Sequence, residues 1–261
     1  MGLLKTLLSI FAPKPKRKYG FKPDSLDIRD YMYSTMAKKP VVVPKSVDLR
    51  PLMPPVFDQG SIGSCTGNAI CGHLVFLEKK ARNDSTLLSR LFIYYNERVM
   101  EGTVNEDAGA LIRDGIKSVG DKGVCAESLM PYDVTKFTNP PSLAAITEAK
   151  TRKISSYHRI NTLNEMKQCL AEGYPFVFGF SVYEGFESPV VALTGILNMP
   201  HPAERVIGGH AVLCVGYDDD NQRIIVRNSW GADWGQAGYF TMPYSYITNK
   251  DLASDMWTIR K

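Results

Sequence analysis

After position 65, apolar residues recur every three to four positions. Ala69, Gly72 and Phe76 form one line, and Ile70, Leu74 and Leu77 another. That spacing puts them along one side of an α-helix. The residues just before it, Gln59-Gly60-Ser61-Ile62-Gly63-Ser64, are small and turn-forming, so the helix begins at Cys65. Amphipathic stretches from Ser89 to Glu101 and from Ala108 to Val119 predict further helices. The chain from Cys65 to about Ala149 therefore reads as mainly helical. Beyond Ile154 the pattern turns strand-like, with one short helix from Leu163 to Glu172 stopped by Gly173. Val212–Tyr217 and Arg223–Arg227 read as two strands joined by the turn Asp218-Asp219-Asp220-Asn221. A helical half followed by a strand-rich half is an α+β arrangement.

This layout gives three polar residues chemical meaning. A helix N-terminus carries partial positive charge, which favours thiolate over thiol at Cys65. A nucleophile needs a base, and the base needs an orienting group. His210 begins the first strand of the hairpin and Asn228 follows the second, so an antiparallel pair brings both to one end of the sheet. A histidine held by an amide is then available to a cysteine from the helical half.

Gln59, the run Gly63-Ser64-Cys65, Gly209-His210-Ala211-Val212 and Asn228-Ser229-Trp230-Gly231 with Trp234-Gly235 occur in that order. Together they resemble the papain and cathepsin family of cysteine peptidases, over roughly Pro44 to the C-terminus. The resemblance implies a two-lobed fold. A helical lobe spans about 57–150, a barrel-like sheet lobe about 151–255, and the active site lies in the cleft between them. It implies hydrolysis of peptide bonds, with Cys65 as nucleophile, His210 as base and Asn228 as orienter. The Gln59 amide and the Cys65 N–H would then stabilise the oxyanion. It places Gly63, Ser64, Asp107, Gly209 and Trp230 along the substrate, with Trp230 covering the His210–Asn228 pair. Two other classes share parts of this pattern: a catalytically silent papain-fold binding protein, which typically loses a triad member, and a thiol acyltransferase, which usually orients its histidine with Asp.

The chain departs from the family pattern in three places. Ile62 stands where many members carry a disulfide-forming cysteine, Thr66 follows the nucleophile where Trp is usual, and the paired substrate-binding glycines are replaced by Asn105-Glu106-Asp107-Ala108-Gly109. That last change points an acidic side chain at the cleft. The five cysteines are scattered and odd in number, which argues for a reducing intracellular compartment.

Composition adds bounds. The chain has 261 residues, 44% hydrophobic and 22% charged, with a net charge of +4. These are ordinary values for a globular protein. Part of the charge is the run Lys14-Pro15-Lys16-Arg17-Lys18, so nucleic acid is not implied. His73, His158 and His201 have no catalytic setting. No zinc spacing occurs, and Asp218–Asp220 lack the distal Glu of a calcium loop, so no metal or cofactor is expected. Residues 1–43 form an N-terminal arm. Leu3–Ala12 is apolar but too short to span a bilayer, and suits weak membrane contact. Met1-Gly2-Leu3-Leu4-Lys5-Thr6 fits a permissive acylation pattern at Gly2. The aromatic and charged strip Tyr19–Tyr33 shows no helical period. It is expected to lie in the cleft and restrain a zymogen, with release around Lys38-Lys39.

Overall fold

The computed structural model describes residues 17–36 and 41–261. Leu3–Ala12, with the membrane and Gly2 readings attached to it, and the Lys38-Lys39 stretch lie outside those residues.

The central helix α1 spans Cys65–Arg82 and is buried on every side from Cys65 to Glu78. It ends at Asn83, which takes a left-handed φ of 55° and closes its N–H on the Glu78 and Lys79 carbonyls. Lys79, Lys80 and Arg82 sit at its negative end. Helix α2, Arg90–Glu101, is capped by the Ser89 hydroxyl, which accepts from the Phe92 N–H. Helix α3 covers Ile112–Lys122 and starts later than the apolar spacing predicts. Gly109, at φ 70°, interrupts the pattern, and Ala110–Leu111 is extended. That pair, β3, runs parallel to Phe21–Lys22 of the arm, β1. A partner from outside the helical half has taken residues that would otherwise open the helix.

The second half is built on a seven-stranded sheet. Its main path runs through β4 (Ser156–Arg159), β9 (Ala253–Arg260), β5 (Phe176–Tyr183), β6 (Val206–Asp218), β7 (Arg223–Arg227) and β8 (Tyr239–Pro243). The seventh strand, β2 (Ser46–Asp48), comes from before the helical half. The reason is geometric: β6 runs past the end of β5, and β2 pairs with the edge left open at Gly216–Asp218. β6 also starts earlier than expected, so His210 lies inside the strand, opposite Phe180. The carboxylate of Asp218 accepts from the N–H groups of Asp220 and Asn221, which makes the β6–β7 turn.

Past β1 the arm is fastened to both halves. The Asp24 carboxylate accepts from Arg159 Nη2 and from Trp257 Nε1, each at 2.9 Å. Asp30 accepts from Arg113 Nη2 at 2.9 Å and from Arg159 Nε at 3.1 Å. Arg159 also meets Asp255 at 2.8 Å. Arg113 belongs to α3 and Arg159 to β4, so this buried cluster joins the arm to the helical lobe and the sheet lobe together. Tyr33, further along, is fully buried.

Candidate active site

Cys65 is the first residue of α1, His210 lies in β6, and Asn228 directly follows β7. The β6–β7 register pairs Leu213 with Arg227, which brings His210 and Asn228 to the same end of the sheet. His210 Nε2 and Asn228 Oδ1 are 2.8 Å apart. The Ser229 N–H also donates to Asn228 Oδ1 at 2.8 Å, which identifies that atom as the oxygen. His210 therefore donates from Nε2 and keeps Nδ1 as its basic nitrogen. Among the described residues Nδ1 has no hydrogen-bond partner. The Trp230 ring stacks on His210 with centroids 5.2 Å apart and planes 30° from parallel. Phe180 and Phe186 enclose the imidazole on other sides.

Gln59 is fully buried. Its Oε1 accepts from Ser229 Oγ at 2.8 Å, which fixes the amide. Its Nε2 donates to the Ile62 carbonyl at 3.0 Å and to the Lys18 carbonyl of the arm at 3.2 Å. The strip Arg17–Phe21 thus lies in the cleft. The Arg17 guanidinium sits 5.6 Å from the Trp230 ring centroid and pairs with Asp58. Tyr19 faces His210 and Trp230, and its hydroxyl donates to Glu187. Gly20 passes so close to Gly63 that a Cβ on it would stand 1.7 Å from the Gly63 carbonyl oxygen. The Phe21 ring fills the space above Gly179, where a Cβ would lie 2.0 Å from the ring.

This cover changes the electrostatics of the pair. Cys65 and His210 are both fully buried. Burial pushes the Cys65 thiol up to about 11, although the N–H groups of Ala211, Gly20 and Thr66 hydrogen-bond toward it and pull the other way. Burial likewise brings His210 down to about 4, against the favourable bond to Asn228. The helix N-terminus alone predicts a thiolate. With the arm seated, desolvation of the charged forms outweighs it. Both shifts favour the neutral thiol and the neutral imidazole over the ion pair.

The remaining residues expected along the substrate fall into two groups. Gly63, Asp107, Gly209 and Trp230 all meet the arm. Gly63 and Gly209 approach Gly20 and Phe21, and Asp107 pairs with Lys18 at 2.8 Å. Ser64 is turned inward instead. Its hydroxyl meets the Tyr132 hydroxyl at 2.5 Å and accepts from Asn68 Nδ2 at 3.0 Å. Three residues escaped the sequence reading. Gly179 carried a signal, as an isolated glycine within an aromatic strand marks close approach. Ser229 lay inside a quoted motif but had no stated role. Glu97 had no signal at all. It is fully buried behind Cys65, accepts from Thr66 Oγ1 at 2.7 Å, and is pushed up to about 8 by burial. Ile62, at the position of the missing cysteine, is buried, and all five cysteines are free thiols.

Comparison with known proteins shows the family. Residues 43–258 match the model of the papain family cysteine proteases. An uncharacterized peptidase C1-like protein of Acanthamoeba polyphaga mimivirus is 42% identical over 271 residues, covering 94% of this chain and 87% of the viral protein. Xylellain, a cysteine protease from Xylella fastidiosa, superposes with a TM-score of 0.86 at 42% identity, over 96% of this chain and 98% of xylellain. The digestive procathepsin L 3 of Tenebrio molitor shares the fold at 20% identity, with a TM-score of 0.69 over 100% of this chain and 80% of its own. This chain belongs to the papain family and is a cysteine peptidase, a hydrolase acting on peptide bonds.

Proposed function

We propose that hydrolysis runs through Cys65, His210 and Asn228 with Gln59 as oxyanion donor, and that the N-terminal arm restrains it. His210 Nδ1 takes the Cys65 proton and the thiolate attacks the peptide carbonyl carbon. The oxyanion is held by Gln59 Nε2 and the Cys65 N–H. As the C–N bond breaks, His210 returns the proton to the leaving amine. Water then attacks the thioester, His210 accepts its proton, and the thiol is restored as the acid leaves. Asn228 keeps the imidazole in the required tautomer throughout.

The observation that carries this reading is the Gln59 amide. Its oxygen is fixed by Ser229, and its N–H reaches a peptide carbonyl of the arm, whose Gly20 N–H in turn points at Cys65. That peptide is the protein's own arm, which also supports restraint, because a substrate and the arm would need the same donor. Five buried free thiols support a reducing compartment as the place of action.

The test is cleavage of a fluorogenic peptide, and labelling by an epoxysuccinyl thiol-protease inhibitor, for wild type and Cys65→Ala. Cys65→Ala is expected to fold, to take no label and to lose turnover entirely. Wild-type turnover in that variant overturns the nucleophile assignment. Transfer of the acyl group to an added amine in preference to water would make the protein an acyltransferase instead.

A further inference from the structure

Behind Cys65 the chain buries a carboxyl that the chemistry above does not use. Glu97, on α2, is fully buried. Its Oε2 accepts from Thr66 Oγ1 at 2.7 Å, and among the described residues its Oε1 has no hydrogen-bond partner. We propose that Glu97 is a positioning residue for Cys65: its neutral carboxyl holds Thr66, and with it the first turn of α1, while its ionised form opposes the thiolate. The inference rests on the reading of Cys65 as nucleophile.

Three helices close on this carboxyl. Thr66 directly follows Cys65 in α1, at the position where papain-like chains usually carry Trp. A threonine in place of that large ring leaves room, which Glu97 enters from α2. Gly115 leaves room from α3. A Cβ there would stand 2.2 Å from Glu97 Oε1 and 2.4 Å from the Ile70 side chain. Glycine weakens a helix interior, so its place in the middle of α3 is explained by what it admits. The Thr66 N–H hydrogen-bonds toward the Cys65 sulfur, and the Cys65 N–H is the second oxyanion donor of the proposed mechanism. Both N–H groups belong to the turn that the Thr66–Glu97 bond ties to α2.

Charge decides which form of Glu97 suits the reaction. A carboxylate is costly to bury without a cation. The guanidinium next to it in sequence, Arg98, turns instead to the carbonyls of Tyr94, Val104, Glu106 and Phe137. The other charged groups facing Glu97 are Glu101 on its own helix and Asp114 on α3, and both favour the proton. From α1 it faces Cys65. Burial is the largest cause that keeps Glu97 protonated up to about 8, and the bond from Thr66 pulls the other way. Above that pH a negative charge stands behind Cys65 and makes its thiolate harder to form.

The experiment measures kcat and KM on one fluorogenic peptide in the full-length chain carrying Gly20→Ala, whose new Cβ cannot coexist with the Gly63 carbonyl and forces the arm from the cleft. Adding Glu97→Leu should lower kcat about tenfold with KM unchanged, because the Thr66 hydroxyl loses its acceptor. Glu97→Gln still accepts from Thr66, and at about pH 6.5 its kcat should lie within about twofold of the Glu97 protein. The ratio of the Gln variant to the Glu97 protein should then climb to about threefold at about pH 9, where only the carboxyl gains a charge. If Glu97→Leu does not fold, the change in that ratio between the two pH values decides. A flat or falling ratio, an unchanged kcat in Glu97→Leu, or a Gln variant no faster than the Leu variant overturns the proposal and leaves the peptidase reading intact. Loss of all cleavage and of the epoxysuccinyl label in the Gly20→Ala protein overturns the peptidase reading and this inference together.

Discussion

The arm is held in two ways that differ in kind. From Arg17 to Lys22 it is held by groups beside Cys65 and His210: the Gln59 amide, the Asp107 carboxylate, and the bare backbone at Gly63, Gly179 and Gly209. From Asp24 to Tyr33 it is held by groups no ordinary peptide brings, namely two carboxylates sunk between Arg113 and Arg159. In the proposed reading the first stretch competes with substrate at the site. The second fastens the arm to both lobes and keeps the competitor at high effective concentration. All of these contacts lie before Thr35, so a cut in the Thr35–Val43 connection removes none of them.

The largest expected effect separates the two stretches by stability. Arg159→Ala should cost about 3–5 kcal/mol, because it leaves Asp24, Asp30 and Asp255 buried with one guanidinium fewer. A denaturant titration measures this, and a loss under about 1 kcal/mol would mean that the anchor is only a surface contact. Gly20→Ala should act on the other stretch alone. The new Cβ collides with backbone, and overpacking of that kind costs about 1–3 kcal/mol. Displacing the arm by that amount raises kcat/KM about ten- to a hundredfold, with a stability loss of no more than about 1–3 kcal/mol, smaller than that of Arg159→Ala. A drop in stability without a gain in activity would erase the distinction between the stretches.

A smaller effect comes from pH. Burial, and then the neighbouring Asp255 charge, raise the Asp24 carboxyl above its ordinary value of 3.8. Three carboxylates facing two guanidiniums leave a negative excess that a proton relieves. A carboxyl with a raised pKa in the anchored state binds its proton more tightly there than when released. Anchoring therefore strengthens as pH falls from neutrality toward the ordinary carboxylate range, and weakens as pH rises. The activity of the full-length protein relative to the Gly20→Ala protein should be about threefold lower at pH 5 than at pH 7.5. A ratio that rises on acidification contradicts this assignment.

The same contrast governs what could be read from the chain. Cys65 at a helix start, and His210 and Asn228 at one end of a hairpin, were legible because each depends on local pattern: small residues before an apolar period, and two strands around an Asp-Asn turn. The strip Tyr19–Tyr33 was legible as extended because it lacks any helical period, but only its first residues, Tyr19–Phe21, lie at the site; Tyr31 is exposed and Tyr33 is buried away from the cleft, near Cys169. The anchor was not. Asp24, Asp30, Arg113, Arg159 and Asp255 are ordinary charged residues, and nothing in their spacing pairs them across the molecule. For the same reason α3 was placed too early, since its first positions belong to an arm strand distant in sequence. Glu97 was invisible because a buried acid inside an amphipathic helix looks like one more solvated charge. The direction in which burial shifts the pair was not legible either. The helix N-terminus is a local feature, whereas the burial that overrides it comes from the arm.

The most direct test of the account is the alkylation rate of Cys65 as a function of pH, followed by peptide mass, in the full-length protein and in its Gly20→Ala variant. Only the thiolate reacts. With the arm seated, burial holds Cys65 near 11 and His210 near 4, so the wild-type protein should react slowly at neutral pH and gain rate only toward high pH. Gly20→Ala should react rapidly from mildly acidic pH upward, as the hydrated cysteine and histidine form their ion pair. Equal profiles for the two proteins, with fast reaction at neutral pH in both, would contradict the claim that the arm keeps this site closed and uncharged.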